Sequence, residues 1–335
     1  MHSEGEAVWS EDPAFWRGRR VAVTGGTGFV GSHVVSALVD LGSLVTVLRR
    51  DRPVDSPISD RWRSTVGFVD GEVEDAATTE RLMVEYEAEV IFHLAAQSQV
   101  GVANRNPLST FEANVRGTWS VLEAARRATT VRAVVVASSD KAYGTQPVLP
   151  YREDMPLLAQ YPYDVSKACA DMITASYAKA FEMPAAITRC GNFFGPGDLN
   201  WERLVPGTVR SLVQGDRPVI RSDGTLSRDY LFVADGVRGY LALAERLFAD
   251  PEIRGSAFNF STETPITVLE LVEILQASLG TALEPDIRAQ AKGEIPHQAL
   301  SAQRAREVLG WKSAFSLEEG LKVTAQWYRS WLSAG

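Results

Sequence analysis

From Arg19 onward the chain alternates short apolar runs with longer segments of helical periodicity. RRVAVTG (19–25) reads as a strand entering a glycine-rich turn, and FVGSHVVSALVDLG (29–42) as a helix that stops at Gly42. SLVTVLRR, STVGFVDG and EVIFHLAA are further strands, with the helix ATTERLMVEYEA between the last two. STFEANVRGTWSVLEAARRA predicts one long helix, VRAVVVASS a fifth strand, DVSKACADMITASYAKAFE a second long helix and PAAITRCGN a sixth strand. Repeated βα units with apolar strands predict a parallel sheet covered on both faces. With right-handed crossovers this is an α/β, doubly wound, Rossmann-like fold.

Beyond about residue 193 the alternation loosens. GPGDLNWERLVPG is loop-like, and the elements after it shorten: PVIRS, RDYLFV, a helix over 235–248, AFNFS, a helix over 267–279 and a C-terminal helix ending in QWYRSWL. These predict a smaller C-terminal substrate lobe over 194–335, interleaved or not with a dinucleotide-binding domain over 17–193. Residues 1–16 read as a loose acidic extension whose Trp9 and Trp16 pack onto the body.

Composition narrows the function. The chain has 335 residues, 45% hydrophobic and 23% charged, with a net charge of −8. An acidic surface repels phosphate backbones, which argues against nucleic acid, and a phosphorylated ligand must then be held by local donors. No apolar run approaches a membrane span. Two cysteines without a pairing framework and four scattered histidines fit a reducing cytoplasm and no metal site.

Two stretches carry chemistry. TGGTGFVG, between the first strand and first helix, satisfies both G-x-x-G-x-x-G and G-x-G-x-x-G. Gly25, Gly28 and Gly31, with Phe29 and Val30, are the candidate cradle for a dinucleotide pyrophosphate at a helix N-terminus. An acid at the end of the second strand would bind a ribose 2′-hydroxyl, and an arginine a 2′-phosphate. Arg49 and Arg50 stand there, with Asp51 one step late, so the cofactor is NAD or NADP with a lean toward NADP. Further on, YPYDVSKACAD sets Tyr163 and Lys167 four apart on one helical face. An ammonium there is expected to lower the phenol pKa and make Tyr163 a base.

TGGTGFVG, HLAAQ (93–97), SSDKAYG (138–144), YDVSK, RCGNFFGPGD (189–198) and RDYLFV (228–233) occur in that order. In this the chain resembles the extended short-chain dehydrogenases/reductases that act on nucleotide sugars. FWRGRRVAVTG, the SDK triplet and GEIPHQ are most similar to CDP-glucose 4,6-dehydratases. The resemblance implies that Ser139 holds the sugar 4-hydroxyl beside Tyr163. It implies that Asp140 is the acid for loss of the 6-hydroxyl and Lys141 the base at C5, where epimerases of the family carry small or uncharged residues. Lys167 completes the catalytic set. The same resemblance points to Glu72, Val73, Leu94, Ala95 and Ala96 on the cofactor. On the nucleotide sugar it points to Gln97, Asn192 and Arg228, with Arg210, Arg221 and His297 as weaker candidates. Asn114 resembles the family's helix asparagine, in a structural role. The function expected is a 4,6-dehydratase forming an NDP-4-keto-6-deoxyhexose by internal hydride transfer. A 4-epimerase with the same Tyr/Lys chemistry and a non-catalytic dinucleotide sensor remain as alternatives. Apolar residues on more than one face of the two long helices (Trp119, Val121, Leu122, Met172, Ile173, Tyr177) predict a homodimer.

Overall fold

A computed structural model describes residues 9–50, 57–290 and 295–334. The first described element is the short helix α1 (Pro13–Trp16), followed by β1 (Arg20–Thr24), α2 (Phe29–Asp40), β2 (Leu44–Arg49), β3 (Gly67–Asp70), α3 (Ala76–Val84) and β4 (Val90–His93). Next come α4 (Val100–Arg105), α5 (Pro107–Phe111), α6 (Gly117–Arg127), β5 (Ala133–Ala137), α7 (Pro162–Phe181) and β6 (Ala185–Cys190). The remainder holds β7 (Asn192–Phe194), α8 (Leu204–Gln214), β8 (Val219–Ile220), β9 (Ser227–Arg228), β10 (Tyr230–Phe232) and α9 (Val233–Ala249). It closes with β11 (Ala257–Phe260), β12 (Ile266–Thr267), α10 (Val268–Leu279), β13 (Asp286–Ile287), α11 (Gln303–Leu309) and α12 (Leu317–Ala334).

Among the described residues seven strands make one sheet in the order β11-β6-β5-β4-β1-β2-β3, with every pairing parallel. The reversal between β1 and β4 creates the crevice where ligands of such sheets bind, outside the strands' carboxyl ends. Val21, Val23, Val45 and Val47 pack on one face with Val34, Val35 and Leu38 of α2 and Val237, Leu241 and Ala244 of α9. Ala22, Ile91, Val134 and Val136 pack on the other with Leu82, Met83, Val121 and Leu122. Burial on both faces explains why the strands are continuously apolar.

Two expectations change. The sheet does not end at residue 193, because β11 (from AFNFS) pairs with β6 and α9 packs on the same core as α2. The two units are therefore interleaved, and a strand 67 residues after β6 closes the edge that β6 would otherwise expose. The long helix expected over 109–128 runs on unbroken from α5 to α6 but widens into a π-type turn over Glu112–Arg116. Asn114 turns inward there. It accepts from Gln97 N (2.6 Å), donates to Gln97 O (3.1 Å) and donates to Ser166 Oγ (2.8 Å), which is a structural task.

The C-terminal lobe has its own core, in which Leu271 and Leu275 of α10 meet Leu321, Ala325 and Tyr328 of α12. Thr267 caps α10 in a reciprocal box with Glu270. The described part of the N-terminal extension lies against the body. Trp16 is fully buried and its indole donates to Glu245, while Trp9 packs partly on the core.

Candidate active site

The glycine turn after β1 is built to bring backbones together. Gly25 has φ +72°, and a Cβ there would lie 2.6 Å from Ala95 N; one on Gly31 would lie 2.0 Å from Gly25 O. Gly28 N–H donates to Gly25 O (3.0 Å). Gly28 is also the N-cap of α2 and offers no side-chain cap, so no side chain competes for the first N–H groups at Phe29 and Val30. A close-packed turn with uncapped donors at a helix N-terminus fits a dinucleotide pyrophosphate. Leu94, Ala95 and Ala96 line the neighbouring strand end, where Leu94 N donates to Thr24 O (3.1 Å) and Ala95 N to Thr24 Oγ1 (3.2 Å). Beneath them His93 joins Thr24 (2.8 Å) to Thr118 (3.0 Å), and burial lowers its pKa to about 3, so it stays neutral.

At the end of β2, Arg49 is paired with Asp70 of β3 through two bonds of 2.6 and 3.0 Å and stacks over Phe68. The guanidinium sought for a 2′-phosphate therefore already has a carboxylate partner. Arg50 is exposed, and Asp51 lies outside the described residues. Glu72 is exposed beyond β3, while Val73 is buried against Gly117.

The run after β5 forms a 3₁₀ turn, Asp140–Tyr143, capped by Ser139, whose Oγ accepts from Lys141 N (3.2 Å). Tyr143 anchors the turn. Its hydroxyl donates to Asn259 (2.8 Å) and accepts from Arg189 (2.9 Å), which is itself held by buried Asp171 of α7. Asp140 is only 2% exposed, and both its oxygens accept: Oδ1 from Ser139 Oγ (3.0 Å) and Oδ2 from Gln298 Nε2 (3.1 Å). The Lys141 amine donates to Gln298 Oε1.

Tyr163 and Lys167 lie on the first two turns of α7, as expected, but their electrostatics differ from expectation. Burial pushes the Tyr163 phenol up to about 12, against a hydrogen bond with Ser139 and the positive charge of Arg203. Burial lowers Lys167 to about 8, and its amine donates to Ala137 O (2.7 Å) at the end of β5. In this arrangement the lysine supports the strand end, and Arg203 is the cation acting on the phenol. Desolvation outweighs both helpers.

The remaining candidates divide. Asn192 opens β7 with its N–H on Asp229 O (2.7 Å). Arg228 is buried, donating to the carbonyls of Ser227 (2.9 Å) and Pro296 (3.2 Å). Gln97 lies on the loop after β4 held by Asn114, and its side-chain oxygen accepts from Gln99 N (3.0 Å). Arg210 is exposed with its guanidinium over Trp201, and Arg221 is an exposed partner of Glu202. His297 is exposed and bonded to Ser227 (3.0 Å). Its neighbour Gln298, fully buried, is the residue of IPHQ that reaches Asp140 and Lys141.

Three residues were missed from sequence. Gln298 is one. Arg203 is the second, donating to Asp198 (3.0 Å) of the lobe and to Ser98 (3.3 Å) on the loop after β4. Asp164, beside Tyr163, is the third. It is buried, and burial raises its pKa to about 6, with Lys141 drawing it down and Asp140 pushing it up. Only its position within YDVSK signalled it.

These features define a dinucleotide-binding α/β enzyme with a tyrosine, a lysine and an acid–amine pair at one crevice. The chain belongs to the NAD dependent epimerase/dehydratase family, whose model matches residues 21–259. The CDP-glucose 4,6-dehydratase of Salmonella typhimurium is 30% identical, covering 96% of this chain and 93% of that protein. The UDP-glucose 4-epimerase of Mycolicibacterium smegmatis is 32% identical over 93% of this chain and 99% of its own. Among solved structures, the dTDP-glucose 4,6-dehydratase of Streptomyces venezuelae with NAD bound aligns with a TM-score of 0.84 at 29% identity, covering 93% of this chain and 97% of that one. The family's cofactor class, a nicotinamide dinucleotide, is one whose pyrophosphate the cradle fits.

Proposed function

We propose that the protein is an NDP-hexose 4,6-dehydratase that converts an NDP-hexose to its 4-keto-6-deoxy form. Similarity alone does not separate this from 4-epimerisation, since relatives of both kinds lie near 30% identity. The observation that carries the reading is the buried Asp140 beside Lys141, on the turn that also presents Ser139 to Tyr163. An epimerase removes no C5 proton and expels no hydroxyl, so this acid and amine would have no task there.

In the proposed sequence Tyr163, with Ser139 as partner, takes the proton of the sugar 4-hydroxyl. The resulting 4-ketone acidifies the C5 proton, which the Lys141 amine removes. Asp140 gives a proton to the 6-hydroxyl, which departs as water, and the Lys141 ammonium returns a proton to C5 as C6 is reduced. A nicotinamide dinucleotide held here would supply a store for the hydride between C4 and C6, so no reductant would be consumed. Gly25, Gly28 and Gly31 with the N–H groups of Phe29 and Val30 hold its pyrophosphate, and Leu94 to Ala96, Val73 and Glu72 flank it. Asn192 and Arg228 take the substrate diphosphate, with Gln97 near the sugar. Pairing of Arg49 with Asp70 and the NAD in the Streptomyces venezuelae relative support NAD over NADP.

The test is product mass. The purified protein, supplied with NAD, is incubated with CDP-glucose, dTDP-glucose and UDP-glucose. Loss of one water from at least one of them is expected, without net reduced cofactor. Unchanged mass with a new C4 stereoisomer would overturn the reading in favour of an epimerase.

A homodimer and a cytoplasmic location belong to the same proposal. Val121 and Leu122 of α6 are buried in the sheet's cover, whereas Trp119 (44% exposed) and Met172 (65%) on α6 and α7 face outward. An exposed apolar stripe on packed helices supports pairing with a second copy. Sedimentation should give twice the chain mass, and Met172→Glu with Trp119→Glu should give the monomer. A wild-type monomer at all concentrations would reject the pairing. Two unpaired cysteines support a reducing compartment, and among the described residues no helix is long and apolar enough to cross a membrane.

A further inference from the structure

Gln298 belongs to the substrate lobe, 158 residues away in sequence from Asp140, yet its amide stands between the two reagents of the 3₁₀ turn. Nε2 donates to Asp140 Oδ2 (3.1 Å), and Oε1 accepts from the Lys141 amine. A primary amide is a neutral group that offers a donor to a carboxylate and an acceptor to an ammonium from one rigid plane. The residue is fully buried, so a side chain without these partners would carry an uncompensated desolvation cost.

Its backbone is fixed just as firmly. Gln298 N donates to Ser227 O (3.1 Å), Ser227 N donates to Pro296 O (3.1 Å), and Tyr151 N donates to Ala299 O (2.7 Å). Leu300 N donates to the buried Asp229 carboxylate (3.2 Å). The segment therefore runs alongside β9, the strand that carries Arg228, whose guanidinium reaches the Pro296 carbonyl.

We propose that Gln298 is a positioning residue for the dehydration step: an uncharged bridge from the substrate lobe that holds the Asp140 carboxyl and the Lys141 amine at separate stations. This rests on the dehydratase reading. Without the bridge the Lys141 amine loses the contact that holds it apart from its neighbour's carboxylate, and a direct ion pair between the two would stabilise the carboxylate and the ammonium. Elimination needs the opposite forms, a carboxylic acid to give a proton and a free amine to take one. The bridge also ties their placement to the strand bearing Arg228, so that the part of the lobe proposed to grip the diphosphate sets the acid–amine geometry.

The test uses the holoenzyme with whichever of CDP-, dTDP- or UDP-glucose loses water with the wild type. Gln298→Leu keeps the volume and removes the bonds to Asp140 and Lys141, together with the one to Tyr151. In single turnovers we expect elimination to fall about 10–100-fold while C4 oxidation, read as transient reduced-nicotinamide absorbance, and KM stay within about threefold. Gln298→Glu keeps the shape and adds a negative charge. Among the described residues, the titratable and charged groups around it and its two partners include Asp140, Lys141, Asp164, Asp229, Tyr151, Tyr163 and Arg228. An added carboxylate raises the proton affinity of Asp140 and of Lys141 alike, so both limbs of the rate profile should move to higher pH by about one unit. Wild-type elimination in Gln298→Leu, or equal loss of oxidation and elimination, overturns the proposal. An unmoved pH profile in Gln298→Glu overturns it too, and that variant decides the matter if the leucine protein does not fold. A wild type that never releases water overturns the dehydratase reading and the bridge with it. Water loss that is indifferent to residue 298 overturns the bridge alone.

Discussion

Tyr163→Phe is expected to leave the substrate at its starting mass, with no C4 ketone and no exchange of the C5 proton in deuterated water. The phenylalanine keeps the ring in a half-buried slot at the start of α7 and removes only the hydroxyl that bonds Ser139. Every later step depends on the ketone, because only a carbonyl at C4 acidifies the C5 proton. Losing the first proton transfer therefore removes the whole sequence, by about 10³-fold or more, at the upper end of what single acid–base groups contribute. Folding should be spared, since Tyr163 lies outside the two sheet-face cores. The ionisation of this tyrosine makes the test sharper. With the phenol pushed up to about 12 by burial, the resting side chain is protonated at neutral pH and must gain help when the site fills. Arg203 and Ser139 are the groups in place to give it. Substantial turnover in Tyr163→Phe would move the base role to another group and remove the tyrosine from the mechanism.

The parts of this site that a reader of the sequence could see are those written in local patterns. The glycine turn and Tyr163 with Lys167 are each held by one strand–turn or helix geometry, so spacing brought them out, and the serine, acid and amine of SSDKAYG stand on one short turn, where the family resemblance gave them their expected roles. The parts that stayed hidden are pairings between distant segments. Arg49 looked like a phosphate ligand because Asp70, its partner, lies on the next strand at the register position opposite it. Lys167 looked like the cation for Tyr163 because the two share a helical face, but its amine donates to a carbonyl at the end of β5. AFNFS looked like a strand of the second lobe, and only the open edge of β6 explains its place in the main sheet. In IPHQ the histidine drew attention as the reactive side chain. The backbone of 297 and 298 alternates outward and inward along Ser227, so the histidine stays at the surface and the glutamine goes in.

Asp140→Asn should separate the two halves of the reaction that Tyr163→Phe stops together. The asparagine is isosteric and can still accept from Ser139 through its oxygen, so the 3₁₀ turn and the Ser139–Tyr163 contact should survive. It cannot deliver an equivalent proton to a departing hydroxyl. Oxidation at C4 should then proceed near the wild-type rate while water loss falls about 10²–10⁴-fold, and the 4-keto-hexose should accumulate. Its amide must also face Gln298 Nε2, a donor meeting a donor unless one of the two amides turns, which adds a small cost to the geometry but none to the C4 chemistry. Lys141→Met should show the complementary pattern, with normal C4 oxidation and slow uptake of solvent deuterium at C5. A buried polar turn without a chemical task predicts near-normal rates for both variants, and an epimerase predicts no deuterium at C5 in any protein, wild type included. If Asp140→Asn expels water in single turnovers at most of the wild-type rate, Asp140 is not the acid. Asp164, a buried carboxyl within the field of Lys141 whose pKa burial raises to about 6, would then be the group to test in its place.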